Sequence, residues 1–489
     1  MTTLHVQGAA PAFEQTRSAV WAPFCVLLCC ALLSNFLLMY GHDRQRLLEV
    51  GVLAVMAIVS LLRPAGMATA FSSHGGKPLA AFLVLGLVGS IQAFSPSHAL
   101  FEVSILFLLY MFALQVAREI ELAGITLMLR LVQGVAVICF LHSVKFWVAY
   151  VTGLAIGAPL EADIFYIGFS NMRFFNHTQT PILPLLILLC CITPSTSRLR
   201  WLWWSLAAYW WMALFAVSGR GTLVGMVGGC IAVALLRRRL AIPYIKTAAI
   251  SAALGLLAYA VFLVAIPVLN GGTAFGAFAA VIERTAADPT SSRLVLWQRA
   301  TDLILAHPWL GVGPMHFAHA AGDLHTGAHP HDWIMQIASE WGIPAFLCLC
   351  TALAMAGRGL LRAGRGLARE DRPNQAICSA LLAGGVTILV DGLVSGLFVM
   401  PQSQLAIVLY LGCAIGWCRV RSGRSHGDFT PPRLYTGALA VLAAAAAVCL
   451  VAVVWPDMQA RYRDDPLSPQ AAALNEGTQW PRLWRAGFF

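Results

Sequence analysis

"AVWAPFCVLLCCALLSNFLLMY", residues 19–40, holds 22 positions without a charged side chain. About 20 apolar residues in a helix span the hydrocarbon layer of a bilayer, so this run reads as one membrane-spanning helix. Residues 251–282 repeat the signal with 32 uncharged positions. The whole chain follows suit: its 489 residues are 59% hydrophobic and 11% charged, whereas soluble domains carry about 25% charged residues. A membrane β-barrel would show short alternating segments instead. The expected fold is therefore all-α and integral to the membrane. Apolar segments lie at 19–40, 47–63, 78–95, 99–116, 124–153, 178–194, 199–217, 221–236, 244–268, 333–357, 376–398, 403–418 and 434–455. Three of them are short, which leaves 12–13 crossings. The first run is too long for a signal-peptide core and has no A-x-A site after it, so it reads as a retained helix.

Basic residues set the orientation. One set of alternate loops holds 20 of the 32 Lys and Arg, among them Arg237, Arg238, Arg239, Arg358, Arg362 and Arg365. Basic loops stay in the cytoplasm, so the chain starts inside and the tail after 454 emerges outside. The net charge of +10 then reports orientation and gives no reason to expect nucleic acid as a partner. The expected divisions are membrane helices over 1–268, a large outer loop over 269–332, further membrane helices over 333–455 and a short outer tail over 456–489. The 13 cysteines sit in apolar segments with no CxxC pattern and read as small packing residues, with no disulfide framework or zinc site.

Three features face outward in this topology: the loop 154–177, the turn Ser218-Gly219-Arg220 and the loop 270–332. In "FAVSGRGTLVG", Gly219 and Gly221 flank Arg220. Glycine permits a sharp turn and close approach to a ligand. An arginine there either snorkels to the headgroups or holds an anion, because guanidinium matches phosphate oxygens with two parallel hydrogen bonds. Arg173 in "SNMRFFNHTQT", Arg293 and Arg299 raise the same choice, and several together make a diphosphate clamp. The outer loop also carries His307, His316, His319, His325, His329 and His331. A zinc or copper site with Asp323 or Asp332 is one reading; surface histidines suit the first four. His329 and His331 flank Pro330 at the water–membrane boundary, where a neutral imidazole can take a proton from a sugar hydroxyl. Asp332 either orients that ring or caps the helix that follows. Lys145, Asp391 and Glu340 are intramembrane charges that need partners. Lys145 and Asp391 either pair with each other or are bound at different depths, and Glu340 is placed near the outer surface of the membrane.

Residues 293–342, "RLVLWQRATDLILAHPWLGVGPMHFAHAAGDLHTGAHPHDWIMQIASEWG", resemble the signature region of the O-antigen ligase and polymerase superfamily. The matching positions are Arg293, Trp297, Pro308, Gly311, Gly313, His331, Asp332, Glu340 and Gly342, together with the S-G-R-G turn at Arg220. The resemblance implies a polytopic fold of the glycosyltransferase C type. It implies transfer of a glycan from undecaprenyl diphosphate to an acceptor hydroxyl at the periplasmic face of a bacterial inner membrane, without cofactor or metal. Carried over by residue, His331 is the general base with His329 beside it. Arg220, Arg293 and, more loosely, Arg173 hold the diphosphate, with Asp332 and Glu340 in support. Lipid A core is the favoured acceptor. Polymerases and protein O-oligosaccharyltransferases share the motif, although the latter usually end in a larger periplasmic domain. Asp332 replaces the commoner Asn. A lipid-linked glycan flippase is the alternative from another class. It would spread polar groups through the bundle, often with internal pseudosymmetry, whereas here they gather at one face.

Overall fold

The computed structural model describes residues 22–37, 42–62, 71, 75–158, 160–169, 171–272, 274–275, 293–324, 327–422 and 433–463. The expected outer-loop residues 276–292, His325 and the tail from 464 lie outside the described residues. Backbone N–H and C=O groups find no water partners in lipid, so a crossing segment must satisfy them within its own helix. The described residues accordingly form helices joined by turns, with no strand among them. They are α1 (Pro23–Leu37), α2 (His42–Leu62), α3 (Gly76–Gln92), α4 (Pro96–Ala123), α5 (Ile125–Ala155), α6 (Met172–Ile192), α7 (Leu199–Ala216), α8 (Arg220–Arg237) and α9 (Ile242–Ala258). Then follow α10 (Arg293–Ala306), α11 (Trp333–Trp341), α12 (Ile343–Arg365), α13 (Arg372–Asp391), α14 (Pro401–Ser422) and α15 (Arg433–Arg463).

Among the described residues nine helices are long and apolar enough to cross a membrane, and α1 and α3 are shorter apolar helices. The run Arg220–Leu269 counts once in that nine. It holds both α8 and α9, separated where Arg238 takes φ 51° and a 3-10 turn covers Arg238–Ala241. The chain is a multi-pass α-helical membrane protein. Two expected segments differ in detail. The helix anticipated over 333–357 is two helices, α11 and α12, because Gly342 at φ 85° turns the chain between them. The segment anticipated to 398 leaves the helix at Asp391, so this carboxylate stands at a helix end rather than in mid-span.

The packing that matters for the site is α13 against α8 and α6. It is close because α8 reads Gly221-x-x-x-Gly225-x-x-x-Gly229, a spacing of small residues that lets membrane helices approach. A Cβ on Gly225 would lie 2.7 Å from the Thr387 carbonyl oxygen, and one on Gly229 would lie 2.6 Å from that of Ala383. Gly228, one residue round the helix, meets only Val390 methyls at 3.4 Å or more. Gly229→Val is therefore expected to destabilise the fold by about 1–3 kcal/mol through overpacking, and Gly228→Ala to leave it unchanged. Thermal midpoints in detergent check the contrast; equal midpoints would show that the α8–α13 contact has slack.

Candidate functional site

The site is built on a clasp between two bends. Val312 N–H donates to the Ser339 carbonyl at 2.9 Å, Gly313 N–H to that of Glu340 at 3.0 Å, and Ile343 N–H to that of Pro308 at 2.8 Å. Such backbone-to-backbone proximity leaves no space for side chains. Gly311 (φ 66°) has the Ser339 oxygen 2.6 Å from where its Cβ would be, and Gly342 (φ 85°) has the Leu310 nitrogen at 2.8 Å. This accounts physically for the glycines of the P-x-x-G-x-G and E-x-G patterns. Glu340 is fully buried within the protein; its carboxylate accepts the Phe317 N–H at 3.0 Å and so pins that turn.

His316, expected at the surface, is buried. Its Nε2 accepts the Ser95 N–H at 2.9 Å and its Nδ1 donates to the Pro314 carbonyl at 2.8 Å, which fixes a neutral tautomer that staples the loop to the start of α4. His319 is half-buried and stacks on Phe94 with ring centroids 4.1 Å apart, while His307 is exposed. Arg299 is engaged within the protein: it donates two bonds to the Asp323 carboxylate, at 2.8 and 2.7 Å, and one to the Ala320 carbonyl at 2.6 Å.

Against this clasp α10 brings Arg293 and Trp297. The Trp297 indole N–H donates to the Pro330 carbonyl at 3.0 Å and so holds the His-Pro-His segment. His331 adopts φ 55°, a left-handed conformation that costs a non-glycine residue about 1–2 kcal/mol. Its own N–H donates to His329 Nδ1 at 3.2 Å, and the two rings lie 4.0 Å apart at 56°. His329 is buried, with Gly396 against its ring: a Cβ there would be 2.7 Å from Nε2. His329 thus spends Nδ1 on fixing the backbone of its neighbour, whereas His331 is half-buried. Burial, and then the charges of Arg293 and Arg173, lower the His331 pKa from 6.5 to about 3, so the ring is neutral. Asp332 Oδ1 accepts the N–H groups of Ile334 at 2.7 Å and Met335 at 3.1 Å. Of its two expected roles it takes the cap. Burial raises its pKa, and these two bonds oppose the rise. Trp333 continues the anchoring through its backbone N–H to the Gly392 carbonyl (3.0 Å) and its indole to that of Leu389 (3.2 Å).

The third wall comes from α6 and α8. Asn171 caps α6 by accepting the Arg173 N–H at 2.8 Å, which sets Arg173 on the first turn with an exposed side chain. One turn on, buried Asn176 and His177 follow, and His177 lies within electrostatic reach of His331, Arg173 and Arg293. The turn before α8 is three residues long, with Ser218 at φ 58°, and Arg220 opens the helix with an exposed side chain. Beneath it, Asp391 accepts the hydroxyls of Thr180 and of Thr222, the latter at 3.4 Å, and Thr222 also reaches the Asn176 carbonyl at 3.2 Å. Arg293 acts electrostatically on Asp391 as well. Lys145, a suggested partner for Asp391, instead donates to the Leu37 carbonyl at 3.2 Å.

Arg173, Arg293, His329, His331 and Asp332 thus belong to one neighbourhood, with Arg220 joined to it through the Thr222–Asp391 contact and Glu340 beneath the clasp. Residues 205–350 match the family model described as O-antigen ligase. Over this stretch the chain is similar to the O-antigen ligase family. Comparison with curated proteins gives no match. The matched stretch runs from α7 into α12 and so includes the Arg220 turn, Arg293 and the clasp, while Arg173 and Asp391 lie outside it. That similarity supports an enzyme of the ligase or polymerase type, a glycan transferase acting on lipid-linked substrates.

The reading by residue missed the inner floor of this site. Asp391 stood out as an intramembrane charge, but its partners Thr180 and Thr222 are ordinary helix residues in sequence. His177 was visible beside Arg173 without any signal that would place it next to His331. The Gly221, Gly225 and Gly229 spacing was the available clue that α8 is pressed against α13.

Proposed function

We propose that the protein transfers a glycan from an undecaprenyl-diphosphate-linked donor to an acceptor hydroxyl, lipid A core being the favoured acceptor, at the periplasmic face of the bacterial inner membrane. The observation that carries this reading is the pair of arginines, Arg173 and Arg293, acting on a neutral, half-buried His331. Guanidinium groups hold diphosphate oxygens by paired hydrogen bonds. Arg220 adds a third at the amino end of α8, where unpaired N–H groups also favour anions.

His331 takes the proton of the acceptor hydroxyl as the acceptor oxygen bonds to the anomeric carbon of the donor sugar. The bond from that carbon to the diphosphate oxygen breaks, and its electron pair leaves with undecaprenyl diphosphate. The three arginines stabilise the charge that grows on the leaving group, and His331 returns its proton to water. No step requires a metal. His329 and Asp332 position His331, one through its backbone N–H and the other by capping α11.

The test is transfer by purified protein in lipid vesicles with a lipid-linked oligosaccharide and lipid A core, with and without EDTA. Transfer that needs no ion gradient and survives EDTA supports the reading. If EDTA stops the reaction and zinc restores it, the histidines are metal ligands. Dependence on a gradient, with the glycan moved but not joined, would identify a transporter. In cells, deletion should remove all long-chain lipopolysaccharide; a residual single-repeat band would make the enzyme a polymerase instead.

A further inference from the structure

An arginine inside a membrane helix is costly and is retained where it makes specific bonds. Arg46, on the second turn of α2, is buried, and so are Gln45 and Glu49. Its guanidinium donates to the Glu49 carboxylate, to Gln404 Oε1 at 2.7 Å and to the Val399 carbonyl. Gln404 in turn donates to the Phe398 carbonyl at 2.8 Å, and the Ser403 hydroxyl donates to the carbonyls of Leu397 and, at 3.0 Å, Met400. Every carbonyl of the turn 397–400 is therefore claimed, and Arg46 is the one donor among these that comes from a distant helix.

The other side of this same connection touches the histidines. Gly396 lies directly against the His329 ring, and the Phe398 ring meets that of Trp333 at 6.3 Å. Gly392, at the start of the connection, receives the Trp333 N–H. From Arg46 the contacts run without a gap to Val399, Gly396, His329 Nδ1 and the backbone of His331. The preceding residue works in parallel. Gln45 donates to the Gly168 carbonyl at 3.1 Å, in the segment that leads into α6 and Arg173.

We propose that Gln45 and Arg46 form a latch that positions the site, with Arg46 setting His331 through the 396–400 turn and Gln45 steadying the approach to α6. The role in catalysis rests on the transfer reading above. Arg46 touches no substrate; it is a positioning residue. The guanidinium suits the task because its planar fork serves three acceptors at fixed angles, which an ammonium cannot reproduce.

The test uses full-length Arg46→Lys and, with one bond to the turn removed, Gln404→Met. Two readouts are taken on protein whose thermal midpoint matches wild type. The first is kinetic: kcat is expected to fall about 10- to 100-fold in Arg46→Lys, the scale of a small misplacement of a reacting group, with donor KM within about twofold of wild type. The second is independent of transfer. Carbethoxylation by diethyl pyrocarbonate, followed by mass spectrometry of the peptide that contains residues 327–332, is expected to proceed several-fold faster in both variants, while exposed His307 reacts at the wild-type rate. Unchanged rates at His329 and His331 would overturn the latch. So would a kcat loss accompanied by equal acceleration at His307, which reports general loosening. If wild type itself shows no transfer, the reaction assigned above fails, and the modification rates still decide the latch.

Discussion

Replacing His331 with alanine is expected to lower transfer by about 10²- to 10⁴-fold, the usual contribution of a general base, with donor affinity largely kept because the base acts on the acceptor. His329→Ala should do less, since its Nδ1 serves the backbone of His331 rather than a substrate. His319→Ala should matter little. The pH dependence separates a true base from a structural ring. The charged groups bearing on His331 are Arg293 of α10 and Arg173 of α6, and with burial they bring its pKa to about 3. The free enzyme therefore holds the base neutral, and kcat/KM should show no acid limb from His331 between about pH 5 and 7. A bound diphosphate offsets the two arginine charges, which raises the pKa towards the ordinary 6.5. The acid limb of kcat should then lie at higher pH than that of kcat/KM, and both should vanish in His331→Ala, leaving a flat residual rate. Coincident limbs for the two parameters would sink the proposal that donor binding tunes the base.

How much of this was legible follows from the range of each signal. Long uncharged runs such as 19–40 and 251–269 announce helices because lipid leaves the backbone no alternative, and the described helices fall where those runs lie. Gly342 and Asp391 broke two expected segments, since neither hydropathy nor length registers a single left-handed residue or a helix stop. Local chemistry also read through: an Asp before an apolar run caps it, as Asp332 does. Glycines of the signature region were visible as a pattern, but their reason, two bends clasped backbone to backbone, depends on residues some 30 positions apart. The histidines show the limit best. His316 reads as a surface residue in sequence, yet it is buried and spent on Ser95 and Pro314, while His331 is half-buried. That difference is made by α3, α4 and α10 in space. Arg46 was invisible as a participant, because its partners Val399 and Gln404 lie more than 350 residues away.

Conservative replacement of the arginines is expected to fail. If Arg293 and Arg220 grip the diphosphate through paired hydrogen bonds, lysine supplies the charge without the fork, and loss of such a contact in a shielded site costs about 10²- to 10³-fold in kcat. Arg293 is partly buried and bears on both His331 and Asp391, so Arg293→Lys should show the full loss. Arg220 is more exposed and Arg173 is exposed on the first turn of α6; water weakens such contacts, so Arg220→Lys should fall at the lower end and Arg173→Lys below it. Arg293 carries two effects that the substitutions can divide. Lysine keeps a positive charge beside His331 and so keeps its low pKa, leaving the acid limb of kcat/KM in place while the rate falls. Alanine removes the charge too, and the limb should move upward towards the ordinary histidine value. A donor carrying a better leaving group than undecaprenyl diphosphate should recover part of the lost rate in Arg293→Lys but none in His331→Ala, because only the former loss lies in departure of the diphosphate. Full turnover by Arg220→Lys and Arg220→Ala at normal protein levels would return Arg220 to the snorkelling role. Full turnover by Arg293→Lys would leave that residue a purely electrostatic partner of His331.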